Sequence, residues 1–130
     1  MSDRYLLDTH VLLWAVGEPK RLARDVRALI EENRYAVSVA TLWELVNKKE
    51  KASSLVRDPA AWWDRYVVQR QTVILPIRAP HVLYLDCLAP HHRDPFDRIL
   101  IAQAVVEEMT LVTADARIHA YGIHTLVAAR

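Results

Sequence analysis

Apolar residues in this chain come in short continuous runs, with longer helical patterns between them. Tyr5-Leu6-Leu7 is the first run and ends on Asp8. Tyr35-Ala36-Val37-Ser38-Val39, Thr72-Val73-Ile74-Leu75 and Leu111-Val112-Thr113 follow, and Ile123-His124-Thr125-Leu126-Val127 is a weaker fifth. Continuous rather than alternating apolarity suits strands covered on both faces, as in parallel sheets. The intervening segments predict helices. Val11 to Val16 is a short one stopped near Gly17, and a second begins near Pro19 with Leu22, Val26, Leu29 and Ile30 at helical spacing. Thr41-Leu42-Trp43-Glu44 opens a third, which runs toward Lys48, Lys49 and Lys51. Asp58 as N-cap and Pro59 at the first helical position start a fourth that carries Trp62, Trp63, Tyr66 and Val67. Ala79 to Leu88 and Arg117 to Tyr121 complete the pattern, the latter stopped by Gly122. Strands alternating with helices imply βαβ units. The expected fold is a three-layer α/β/α sandwich around a central, mostly parallel sheet of four to five strands. No repeat or linker divides residues 1–130, so a single domain is expected.

One helix has an acidic mouth, Arg93-Asp94-Pro95-Phe96-Asp97-Arg98, and ends near Glu108. Asp94 suits the N-cap, Pro95 the first helical position, and Asp97 the third, where it could reach free backbone N–H groups. In open parallel sheets, sites form outside the carboxyl ends of the strands, where strand order reverses. Asp8 stands at the end of the first strand and Asp115 just beyond the fourth. Glu44 and Asp97 open helices at the same edge. If strands one and four are neighbours, all four acids can converge. Each also has an ordinary local role: Asp8 as a helix cap, Glu44 in a capping box with Thr41, and Asp115 at a turn. Taken together, crowded carboxylates repel and raise one another's pKa. Helix N-termini offset only ~0.3–1 kcal/mol each. A divalent cation offsets far more, and oxygen-only donors point to Mg²⁺ or Mn²⁺ rather than zinc. Such an ion activates water and neutralises charge on a phosphate oxygen, chemistry that fits phosphodiester hydrolysis.

Composition narrows the alternatives only a little. Hydrophobic residues make up 52% of the 130 residues, with two glycines, as expected of a compact chain with a real core. A net charge of +1 neither demands nor excludes nucleic acid. Cys87, the sole cysteine, cannot form an internal disulfide and is expected to be a small buried hydrophobe. No signal peptide opens the chain and no apolar run reaches transmembrane length, so a soluble, cytoplasmic protein without membrane contact is expected. There is no glycine-rich phosphate loop and no Ser or Cys nucleophile elbow. Asp8-Thr9-His10 lacks the second aspartate that a phosphoaspartyl phosphatase needs.

Leu7-Asp8-Thr9-His10-Val11-Leu12-Leu13-Trp14 and Ser38-Val39-Ala40-Thr41-Leu42-Trp43-Glu44 resemble the opening motifs of PIN-domain proteins. His92-Arg93-Asp94-Pro95-Phe96-Asp97-Arg98-Ile99-Leu100-Ile101-Ala102-Gln103-Ala104 and Leu111-Val112-Thr113-Ala114-Asp115 resemble the closing ones. The likeness spans essentially the whole chain and is strongest to VapC-type toxins, the ribonuclease halves of bacterial and archaeal toxin–antitoxin pairs. It implies a metal-dependent endoribonuclease, cutting RNA and neutralised by a cognate antitoxin, with a homodimer as the assembly. Asp8, Glu44, Asp97 and Asp115 match the acidic quartet that binds Mg²⁺ or Mn²⁺, with Asp8 and Asp97 as direct ligands. Thr9 and Thr113 match the hydroxyl positions that bond a carboxylate or bound water. Asp94 is an extra acid, kept as the N-cap and as a neighbour of the metal's outer surroundings. Two other readings are a PIN nuclease outside any toxin–antitoxin pair and a non-catalytic PIN-like protein-binding module.

Arg93 and Arg98 flank the acids and are the candidates for holding an RNA backbone. Lys48, Lys49, Lys51 and Arg57 form a basic run, read as a solvated helix end suited to the dipole or as a rim that tracks phosphates. His91-His92 reads as a polar loop, since adjacent side chains diverge and no third ligand stands at metal spacing. His10 is either a neighbour of the metal ligands or plain packing. Four tryptophans are too many for so small a core to hide, and Trp62 and Trp63 are where an interface is expected.

Overall fold

The computed structural model describes residues 4–51, 54–90 and 93–129. The His91-His92 loop lies outside them. Strands β1 (Tyr5–Leu7), β2 (Ala36–Ser38), β3 (Val73–Leu75), β4 (Thr110–Thr113) and β5 (Thr125–Val127) form one sheet in the order β3-β2-β1-β4-β5. Every pairing is parallel, including that of the weak fifth strand, where Leu111 faces Thr125 and Val112 faces Leu126. The chain therefore winds outward from β1 to β3, then crosses back to place β4 on the other side of β1. That reversal puts the switch point between β1 and β4, at their carboxyl ends.

Strand residues alternate between two cores, as a period of two demands. Leu6, Ala36 and Leu111 face one core, which is shared with Ile99, Leu100, Ile101 and Ala104. Leu7, Val37 and Val112 face the other, with Val11, Leu12, Val26, Leu29, Trp63 and Val67. The helices are α1 (Thr9–Gly17), α2 (Arg24–Glu31), α3 (Val39–Lys48), α4 (Pro59–Trp63), α5 (Ala79–Tyr84), α6 (Pro95–Val106) and α7 (Ala116–His119). The three-layer expectation holds, with five strands and an all-parallel sheet.

Helix starts follow the polar caps, with one shift. Asp58 and Asp94 cap α4 and α6 as expected, accepting hydrogen bonds from Ala61 N and Phe96 N. Helix α3, however, begins two residues before Thr41. Ser38 is its N-cap, accepting from Ala40 N at 2.9 Å, so Glu44 falls in the second turn rather than in a capping box. The same Ser38 hydroxyl donates to Gln103 Oε1 at 2.6 Å, and Gln103 Nε2 donates to Pro76 O at 3.2 Å. With Ser38 and Gln103 both fully buried, this link fixes α6 against the ends of β2 and β3. A second link ties α5 to the end of α6. His81 Nδ1 accepts from Arg78 N, so Nε2 carries the proton given to Glu107 Oε2 at 2.8 Å. Arg78 also bonds that oxygen, and together the two donors hold the Glu107 pKa below its ordinary value.

Helix α1 stops at Gly17, as expected, with Glu18 N closing it on Trp14 O. Two other expectations fail for identifiable reasons. Cys87 is exposed, because it sits in the outer 3₁₀ turn, Leu85–Cys87, that follows α5. Trp63 is buried and Trp62 packs against the same core, so the ring left most exposed is Trp43, at 51%. No helix among the described residues is long and apolar enough to cross a membrane.

Candidate active site

Asp8 follows β1 directly and stands at the N-cap of α1, yet its side chain makes no capping hydrogen bond. Its Oδ2 instead accepts from the Thr113 hydroxyl at 2.8 Å, across from the end of β4. That hydroxyl itself accepts from Asp115 N at 3.0 Å, so its proton is committed to Asp8. Asp8 Oδ1 is buried with no hydrogen-bond partner. Burial leaves such an oxygen costly unless something else meets it.

Glu44 is similarly deep, at 4% exposure. Its Oε2 accepts from Lys48 Nζ at 2.5 Å, one helical turn on, while its Oε1 is buried without a partner. Asp97 occupies the first turn of α6, and Asp115 caps α7 by accepting from Arg117 N at 2.9 Å. Arg117 then grips both Asp115 oxygens through its guanidinium, each at 3.2 Å. Asp94 uses Oδ1 to cap α6 and places Oδ2 3.7 Å from Lys48 Nζ.

The electrostatics show that these acids share one place. Burial and then the charges of Asp8, Asp94, Glu44 and Asp115 push the Asp97 pKa up to about 8. Burial also raises that of Asp8, with Glu44 adding to it; the Thr113 hydroxyl and His10 pull the other way without cancelling the rise. Burial works against the Lys48 charge, but the hydrogen bond and attraction of Glu44, with Asp94 and Asp97 behind it, hold its pKa above the ordinary value. The cluster is short of positive charge and its donors are all oxygen, which fits a hard divalent cation. Two buried orphan oxygens, Asp8 Oδ1 and Glu44 Oε1, support the fit. Among the described residues, no three acid, His or Cys side chains already stand close enough together to enclose an ion.

The remaining candidates fall in different places. Thr9 Oγ1 pairs with Thr41 Oγ1 at 3.1 Å, joining α1 to α3 rather than touching a carboxylate. Arg93 is exposed at the mouth of α6. Arg98 turns inward, donating to the carbonyls of Leu85 and Ala89, and so braces the loop ahead of α6. Lys49, Lys51 and Arg57 are exposed, and so is His10. Sequence reasoning missed Arg117 as the clamp on Asp115, although its spacing two residues past an N-cap was visible. It also missed the pairing of Lys48, for which the four-residue step from Glu44 was the signal.

Two surface cavities separate chemistry from mere space. The larger, about 560 Å³, lies at the amino ends of β1 to β3 among Arg4, Tyr5, Arg34 and Tyr35, and its lining has no carboxylate, serine or cysteine. The other, about 270 Å³, opens beside the acids and is lined by Thr9, His10, Leu13, Glu44, Lys48 and Leu55 with their neighbours. Only the second adjoins titratable groups with shifted pKa values.

Thr113→Val tests the Asp8 anchor. It keeps the volume but leaves Asp8 Oδ2 without its donor, so unfolding in urea should show a loss of about 1–3 kcal/mol. Thr113→Ser should stay near wild type. Equal stability of the valine variant would show that the bond contributes nothing.

The PIN domain family matches residues 5–123. Ribonuclease VapC22 of Mycobacterium tuberculosis is 30% identical over 119 residues, covering 89% of this chain and 90% of that protein. Among solved structures, DNA-bound VapBC from Salmonella typhimurium superposes with a TM-score of 0.72 at 18% identity, covering 95% of this chain and 97% of that one. VapBC-5 from Mycobacterium tuberculosis, of the VapBC family of toxin–antitoxin systems, gives 0.60 at 20% identity, covering 97% and 99%. At those identities the two structures speak for the fold.

Proposed function

The chain belongs to the PIN domain family, and from that premise we propose that it is a divalent-metal-dependent endoribonuclease, the toxin of a toxin–antitoxin pair. The observation that carries the reading is the pair of buried, unpartnered oxygens, Asp8 Oδ1 and Glu44 Oε1, beside Asp97 at the sheet's switch point. Asp8, Glu44, Asp97 and Asp115 would hold Mg²⁺ or Mn²⁺, with Asp8 and Asp97 as direct ligands. Such a cation, when bound, activates water and neutralises charge on a phosphate oxygen.

The chain's own residues supply the positioning. Thr113 holds Asp8 by one oxygen and leaves the other for the cluster. Arg117 keeps Asp115 in place, and Asp94 fixes the start of the helix that carries Asp97. Exposed Arg93 would bond a backbone phosphate as a planar fork. Arg98 would do so only by releasing two carbonyls, so its part is to brace the loop. Water would attack phosphorus in line; the new P–O bond forms as the bond to the 3′ oxygen breaks. That oxygen takes up the proton, and the downstream product keeps a 5′-phosphate.

The curated relative is a ribonuclease, and VapBC-5 belongs to a toxin–antitoxin family. Exposed Trp43, Val46 and Leu55 on and beside α3 give an apolar surface next to the acids that supports a cognate antitoxin. Exposed Val73 and Ile74 on edge strand β3, with Val82 and Leu83 on α5, support a homodimer. The test is cleavage of RNA by the purified protein. Mn²⁺ should yield fragments with 5′-phosphates, excess EDTA should stop the reaction, and added Mn²⁺ should restore it. Undiminished cutting in EDTA would rule out the metal. Expression should also arrest growth, and co-expression of a cognate antitoxin should relieve the arrest.

A further inference from the structure

We infer that Lys48 is the resident counter-cation of the acidic cluster and competes there with the divalent ion. The inference rests on the metal reading above and adds a residue that sets the cation affinity. Lys48 Nζ lies 2.5 Å from Glu44 Oε2 and 3.7 Å from Asp94 Oδ2. It also sits 5.8 Å from the centre of the Phe96 ring, so one ammonium links the end of α3 to the mouth of α6.

An ordinary helix pair four residues apart lies in solvent and joins two exposed side chains. This one differs in both respects. The Glu44 side chain is only 5% exposed, that of Lys48 is 34% exposed, and a second carboxylate comes from another helix. Lysine suits a temporary post, because its ammonium is a point charge on a flexible stem rather than a fixed fork. It also satisfies the cluster only in part. Glu44 Oε1 and Asp8 Oδ1 stay without partners, so the oxygens a metal would need remain open.

A cation held by Glu44 shares that carboxylate with Lys48 and meets its like charge. Each therefore weakens the other, and the coupling is reciprocal. The cavity of about 270 Å³ that Lys48 lines gives the ammonium room to withdraw. On this account the metal-free cluster is partly neutralised from within. Its affinity for Mg²⁺ or Mn²⁺ is then lower than its carboxylates alone would give.

Calorimetric titration with Mn²⁺ of wild type, Lys48→Met and Lys48→Arg tests this directly, alongside melting temperatures in EDTA. The Met variant should bind Mn²⁺ roughly fivefold or more tightly than wild type. The Arg variant, which keeps the charge, should stay within about twofold of wild type. In EDTA the Met variant should melt lower, with Mn²⁺ closing the gap. If wild type binds Mn²⁺ and the Met variant binds it equally or more weakly, the competition is refuted while the metal reading stands. If neither protein binds Mn²⁺, both fall. Lys48→Gln repeats the comparison should the Met variant fail to fold.

Discussion

Asp97→Asn should abolish RNA cleavage and, in EDTA, make the protein more stable. The two effects have one cause. Asp97 lies in the first turn of α6, where burial and four neighbouring carboxylates raise its pKa to about 8. Near about pH 7.5 the folded chain keeps a proton there that the unfolded chain has released, and this costs stability. Asparagine has the same shape and no charge to oppose, so that cost disappears. Relief of about 1 kcal/mol would raise the melting temperature by roughly 3–6 °C. The same change removes the anion that the proposed metal needs, and cleavage should fall on the order of 10³-fold, as when a preorganised electrostatic group is deleted. Asp8→Ala should be as inactive but not stabilised, because the buried Thr113 hydroxyl loses its acceptor. Melting curves in EDTA and initial rates in Mn²⁺ decide the matter. Wild-type cleavage by Asp97→Asn, or a lower melting temperature in EDTA, would remove Asp97 from the proposed centre.

What could be read in advance follows from which properties are local. Strands announced themselves as apolar runs; Asp8 and Asp115 follow strands closely, while Glu44 and Asp97 sit in the first two turns of α3 and α6, so a common edge for the four could be read from the order of elements. The caps Asp58 and Asp94 were legible because a side chain and its N–H partners are two or three residues apart. Helix ends were legible only in part: α1 stops at Gly17 and α6 within two residues of Glu108, as expected, but the backbone conformation of the turns was not. With two glycines available, the turns after α2 and α6 use Asn33 and Glu108, and the turn before β3 uses Gln71, in the left-handed region, at φ 55°, 55° and 57°. Such positions cost roughly 1–2 kcal/mol for most side-chain-bearing residues; Asn33 is the type that tolerates them, but Gln71 and Glu108 carry no turn signal. The start of α3 was missed for a related reason. Ser38 ends a strand and caps a helix at once, so Thr41 looked like the first polar residue available.

Side-chain direction was the other blind spot. Trp62 and Trp63 are adjacent in α4, and only the packing shows that both turn to the core while Trp43 faces outward against Phe96. Arg98 flanks an acid in sequence but bonds two carbonyls behind it. Lys48 follows Glu44 by one turn, a spacing that serves an exposed pair equally well; the depth of Glu44 is what changes its meaning.

The pH dependence of stability should reverse its slope when metal is added. Asp97 has an ordinary value of 3.8 and a folded value of about 8, so between those limits the folded chain holds more protons than the unfolded one. Stability must then fall as pH rises through that window. Below about pH 4 both states are protonated and the penalty vanishes; above about pH 8 it is complete. Asp8, also raised, acts with the same sign. Glu107 acts oppositely: its pKa is lowered from 4.5, so its contribution is present above that value and is lost as pH falls below it. The metal-free protein should therefore be most stable near about pH 5 and weaken toward neutrality. On the proposed metal reading, a divalent cation would take the place of the Asp97 proton, so its binding should tighten as pH rises. The increase in melting temperature produced by saturating Mn²⁺ should accordingly be small at about pH 5 and largest near about pH 8. Parallel melts in EDTA and in Mn²⁺ across that range measure it. A constant Mn²⁺ increment would mean that the ion binds without displacing a proton, away from the cluster that raises Asp97. The Asp97→Asn variant is the control, and its metal-free curve should lose most of the decline between about pH 5 and 8.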